Sequence, residues 1–121
     1  MHKLRIETKK RQLESFAKTK FKEYAMNKWQ FKFSDEYPKS SCGHCVPEWK
    51  IIFMEISTIA KYKLPTLKDI VLHEFAHAIA GKKAMHGKEF RKVCKQIGCK
   101  GNRANNNYEC YELRGKFSWQ E

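Results

Sequence analysis

The chain has 121 residues, 41% of them apolar, which suffices for one domain spanning residues 1–121 with a modest core and no disulfide framework. Its 25 Lys and Arg against 13 Asp and Glu leave a net charge of +12, a surplus that favours a polyanion such as DNA as partner, bound with little sequence preference. No run approaches the roughly 18 apolar residues of a membrane span. Met1 to Glu7 is not followed by the apolar segment of a secretory leader, and the five cysteines are odd in number. These features lead us to expect a monomer without a membrane partner that is not secreted and stays intracellular, in cytoplasm, nucleoid or nucleus, its thiols free or metal-bound.

From Lys9 to Asn27, Leu13, Phe16, Ala17, Phe21, Tyr24 and Ala25 recur at helical spacing opposite a basic face, which predicts a helix with one side on the core. Trp29, Phe31 and Phe33 then alternate with Gln30, Lys32 and Ser34, the period of a strand with one apolar face. Ser34 to Pro47 reads as a loop, as does Cys99 to Glu109. Trp49 to Ile56 is apolar at nearly every position and reads as a second strand covered on both faces. The expected fold is α+β: an N-terminal helix, a small antiparallel sheet, and further helices packed on it. The aromatics Trp29, Phe31, Phe33, Trp49 and Phe53 read as core residues rather than as platforms for nucleobases.

Cys42-Gly43-His44-Cys45 is a C-x-x-C segment with three readings. Thiol redox chemistry needs the first cysteine at a helix N-terminus, whereas here the segment runs into Val46-Pro47 and a strand-like run. A structural metal site shared with Cys99 or Cys110 is the second reading, and two ordinary thiols in a loop are the favoured one.

Pro65-Thr66-Leu67-Lys68-Asp69 carries the T-x-x-D spacing of a capping box, and Leu67, Ile70, Val71, Phe75, Ala78 and Ile79 follow at helical intervals up to a stop at Gly81. Inside that helix lies His73-Glu74-Phe75-Ala76-His77. Histidines four apart project from one face with Cβ atoms about 5–6 Å apart and can share a zinc ion. Glu74 lies a quarter-turn round, where it is placed to take a proton from a water that the metal activates. Beyond a short turn, His86 opens a second helix marked by Phe90, Val93, Cys94 and Ile97 and ended by Gly98. His73, His77 and His86 are therefore the candidate Zn2+ ligands and Glu74 the candidate general base.

The order of helix, strand, strand, H-E-x-x-H helix and downstream His-Gly resembles the SprT-like (Spartan-related) zinc metalloproteases. Trp29, Phe31 and Phe33 look like that family's W-x-F-x-F strand, and Ile56-Ser57 looks like the end of its I-x-x-S strand. His73 to His77 followed by His86-Gly87-Lys88-Glu89-Phe90 looks like its H-E-x-x-H…H-G-x-x-[FW], the most specific of the three and distinct from the metzincin spacing. The resemblance covers roughly residues 10 to 100. It implies a zincin-like domain, zinc on His73, His77 and His86, Glu74 as acid/base, and hydrolysis of peptide bonds in proteins bound or crosslinked to DNA, as in DNA–protein crosslink repair.

Larger relatives add a cysteine-rich ribbon or DNA-binding segments, and Cys99 and Cys110 do not form one, so DNA contact would fall to the core. Lys82, Lys83, Lys88, Arg91, Lys92 and Lys95 around the metal site are candidates. The competing reading is a zinc-containing nucleic-acid-binding module with vestigial or no proteolysis, and a disulfide oxidoreductase built on Cys42 and Cys45 is a third. Tyr108 and Tyr111 are candidates for oxyanion stabilisation, against plain packing roles.

Overall fold

The structure, a computed structural model, describes residues 2–35, 42–81 and 87–99. Along the chain it forms α1 (His2–Glu23), β1 (Gln30–Ser34), β2 (Gly43–Val46), β3 (Ile51–Glu55), α2 (Ile56–Lys61), α3 (Leu64–Ala80) and α4 (Lys88–Ile97). The α+β expectation holds, but the sheet is mixed rather than antiparallel. Its order is β1-β3-β2, with β1 parallel and β2 antiparallel to the central β3.

The difference comes from β2, which lies in the stretch read as a loop. A tight turn joins β2 to β3, closed by the Trp49 N–H on the Val46 carbonyl and the Lys50 N–H on the Pro47 carbonyl, each at 3.1 Å. Lys50 takes a left-handed φ of 55° there. The hairpin places β2 on one edge of β3, which leaves β1 to pair along the other edge in the parallel sense.

Paired residues share a face of the sheet, and successive residues alternate. One face carries Phe31 and Phe33 from β1, Ile52 and Met54 from β3, and Cys45 and Gly43 from β2. Ile52, Met54 and Cys45 are buried there, and this face meets the helices. The opposite face carries Gln30 and Lys32, Ile51 and Phe53, and Val46 and His44. Since Ile51 and Phe53 are only half-buried, β3 is not covered on both faces as its apolar sequence predicts. Trp49, expected to open the strand in the core, is 67% exposed in the turn.

The main core gathers Leu13, Ala17 and Phe21 from α1, Ile52 and Met54 from β3, Ile59 from α2, and Leu67, Ile70, Val71 and Phe75 from α3. Leu13, Ala17 and Phe21 stand four apart, so one stripe of α1 supplies them. The ring of Phe75 lies 4.8 Å from Phe21 and 5.8 Å from Tyr24 in an edge contact. Burial raises the Tyr24 phenol above its ordinary range, against the pull of the nearby Lys20 ammonium. Lys9 reaches from α1 to the end of α2, donating from Nζ to the carbonyls of Ile59 at 3.1 Å and Tyr62 at 3.0 Å. A cation is favourable at those last carbonyls of a helix.

A second cluster forms where α3 meets α4: Ala76, Phe90, Val93, Cys94 and Cys99. Gly98 turns left-handed at φ 88°, and the Cys99 N–H bonds back to the Cys94 carbonyl at 2.8 Å. That reversal brings the two Cα atoms within 4.8 Å, and Cys94 and Cys99 form a disulfide. Cys42 is disulfide-bonded as well, and Cys45 is a buried free thiol. The expectation of free or metal-bound thiols is thereby corrected for three of the cysteines. No described helix is long and apolar enough to cross a membrane.

Candidate metal centre

Helix α3 starts at Leu64, earlier than the capping-box reading implies. Lys63 precedes it with no side-chain cap, and Pro65 sits in the first turn, where its missing N–H has no partner to lose. Thr66 and Asp69 are therefore internal to the helix and do not cap it. The other end stops at Gly81, as the sequence indicates, with φ 96° and its N–H on the His77 carbonyl at 3.0 Å.

Between those ends the helix passes through the interior, and His73, Glu74, Phe75, Ala76 and His77 are all buried. The four-residue spacing brings the Nε2 atoms of His73 and His77 to 3.2 Å from each other, with ring centroids 4.8 Å apart and planes at 74°. Two nitrogens on a tetrahedral zinc, each about 2.0–2.1 Å from the metal, stand about 3.3 Å apart. The pair therefore has the spacing of two neighbouring corners of such a site, and neutral imidazoles are its preferred nitrogen donors.

Helix α4 holds these rings in place. Phe90, fully buried, lies 4.9 Å from the His73 ring and 4.4 Å from the His77 ring, so a single side chain contacts both. Val93 and Cys94 continue the same face of α4 into the contact with α3. Gly87, the residue ahead of α4, lies three positions, about one helical turn, before Phe90. The outer face of α4 carries Lys88, Arg91, Lys92 and Lys95, all exposed, with Glu89 among them.

Glu74 is 1% exposed and meets β2. A Cβ built on Gly43 would stand 3.6 Å from Glu74 Cγ and 2.6 Å from the Phe53 carbonyl oxygen, so the strand is pressed between sheet and helix at this point. Sequence reasoning missed Gly43 because its segment shows no strand alternation. Phe90 was visible as a core position but not as the ring behind both histidines. Nothing in its apolar spacing distinguishes the two roles.

Among the described residues no third His, Cys, Asp or Glu completes a metal-binding group with His73 and His77. His86, Lys82 and Lys83 lie outside the described residues, as do Cys110, Tyr108 and Tyr111. Cys42-Gly43-His44-Cys45 runs into β2 rather than starting a helix, so it lacks the helix N-terminus that thiol redox chemistry needs.

A buried helix presenting two converging imidazoles beside a carboxylate, with a second helix behind the rings, is a donor arrangement of metalloprotease type. The chain belongs to the SprT-like family, whose model matches residues 9–110. No curated protein and no solved structure gives a significant match.

Proposed function

We propose that the protein is a zinc-dependent endopeptidase that cuts proteins bound or covalently linked to DNA, acting inside the cell. The observation that carries this reading is the 3.2 Å approach of the His73 and His77 Nε2 atoms next to the buried Glu74 carboxylate. His86, immediately before Gly87, is the third ligand in this reading. A zinc ion held by the three imidazoles would polarise a peptide carbonyl and lower the pKa of a water to about 7. Glu74 takes the proton from the attacking water and returns it to the leaving amine. Phe90 and the core around α3 fix the histidine rings, so no rotamer freedom has to be lost when substrate arrives. A structural zinc site needs no adjacent carboxylate, and buried Glu74 thus favours an enzyme over a binding module.

The DNA part of the proposal is supported by the net charge of +12 and by the exposed Lys88, Arg91, Lys92 and Lys95. These lie on the outer face of the helix whose inner face touches both histidines, so a polyanion on α4 would be held beside the site. The test incubates purified protein with a DNA-linked protein substrate and with the same protein free, with and without chelator. The expected result is chelator-sensitive cleavage that is faster on the linked substrate. Glu74→Gln should retain zinc while losing about 10²–10⁴-fold in rate. A zinc-loaded chain that binds DNA and cuts neither substrate would replace this reading with the nucleic-acid-binding module.

A further inference from the structure

Trp49 is the most exposed of the large apolar side chains among the described residues, at 67%. It does not sit on a loose loop. Two backbone hydrogen bonds close its turn, and the Lys50 carbonyl accepts from the Gln30 N–H at 2.9 Å, which ties the tip of the β2–β3 hairpin to the start of β1. The backbone that carries the indole is thus already ordered, and binding would not have to order it.

Its surroundings are basic and aromatic. Lys50 and Lys28 are exposed at the same end of the sheet, and Lys32 is exposed on the outward face of β1. In register with Lys32 on that face, His44 stacks on Phe53 at 4.9 Å and 21°. Glu48 is the acidic side chain in the turn. An accessible π-face with lysines around it matches the chemistry of unpaired nucleobases on a phosphate backbone: any base stacks on the indole, and the phosphates meet the ammonium groups. A continuous duplex keeps its base faces stacked internally and has none to offer a single exposed indole.

The location ties this surface to the candidate metal centre. From Val46 at the tip, β2 runs back to Gly43, which abuts Glu74. Three residues of extended chain span about 10 Å. A nucleic-acid strand on the tip is thus held one short strand away from the carboxylate, within reach for a polypeptide attached to it. We infer that the β2–β3 tip binds single-stranded nucleic acid beside the metal centre, with Trp49 as stacking platform and Lys28, Lys32 and Lys50 as phosphate contacts. The inference rests on the DNA reading proposed above and specifies the form of DNA that the site takes.

The experiment measures anisotropy of a fluorescein-labelled oligodeoxythymidylate and of a blunt duplex with the zinc-loaded full chain across a salt series. Trp49→Ala should weaken single-strand binding about 5- to 100-fold with an unchanged salt slope, while Trp49→Phe retains most of it. Duplex affinity should stay that of the wild type. Replacing Lys28, Lys32 and Lys50 by Gln should lower the slope of log K against log salt by about 0.7 per lost contact. Wild-type affinity of Trp49→Ala for the single strand, or equal loss on both DNAs, overturns the platform and leaves the wider DNA reading standing. Failure of the unaltered protein to bind either DNA overturns both. A raised KM for a DNA-free peptide in Trp49→Ala would assign the tip to protein substrate and also overturn the inference.

Discussion

Gly43→Ala is a sharp probe of how tightly β2 is held between the sheet and α3. The added methyl would stand 2.6 Å from the Phe53 carbonyl oxygen, a backbone atom that cannot swing aside. A carbon–oxygen contact settles at about 3.3 Å or more, so β2 has to retreat by about 0.7 Å, breaking its register with Met54 or tilting away from Glu74. Overpacking of this kind costs about 1–3 kcal/mol. For a chain of 121 residues each kcal/mol shifts Tm by about 3–5 °C, giving a fall of about 3–15 °C. Gly81→Ala is the control: nothing lies within 4 Å of its Cβ, but its φ of 96° makes any side chain strained, at about 1–3 kcal/mol. Calorimetric melting and cleavage rate are measured on both variants in the presence of zinc. Both should melt earlier, and only Gly43→Ala should also lose turnover, because only Gly43 abuts the Glu74 side chain. An unchanged melting temperature for Gly43→Ala would refute the close packing of β2, and an unchanged rate would refute its influence on the carboxylate.

Phe90→Ala removes the ring that contacts both histidines and should cost about 3–5 kcal/mol in urea unfolding. Zinc affinity in a competition titration should fall with it, and Phe90→Leu should recover most of both. His86→Ala should purify with zinc content well below the wild type by elemental analysis, and full occupancy would refute His86 as a ligand.

Helices α3 and α4 were legible because their signals are local. His73 and His77 share a face by spacing alone, and Phe90, Val93, Cys94 and Ile97 mark one stripe between glycines that end each helix. The strands were legible only where side chains alternate. Phe31 and Phe33 marked β1, whereas the four residues of β2 show no alternation and become a strand only by pairing with β3. Missing β2 in turn hid the parallel pairing of β1, since the sheet order depends on which strand takes the hairpin position. Trp49 was misplaced because apolarity does not separate a core strand from a turn, and the turn depends on a left-handed Lys50. Pro65 misled in another way, since a helix accepts proline in its first turn as readily as it starts after one. The Cys94–Cys99 bridge needs the reversal at Gly98, a backbone event that cysteine counting does not register.

The link from Lys9 to the end of α2 has a consequence for how the protein is made. Its acceptor carbonyls, on Ile59 and Tyr62, lie 50 and 53 residues after the donor. A ribosome adding about 5–20 residues per second takes roughly 3–10 s to cover that distance. For that interval the nascent α1 has neither its anchor nor the strands and helices that cover Leu13, Ala17 and Phe21. Arg11, Lys18 and Lys22 on its solvent side carry like charge throughout that interval, and their repulsion opposes contact between two such uncovered stripes until the rest of the polypeptide closes over them.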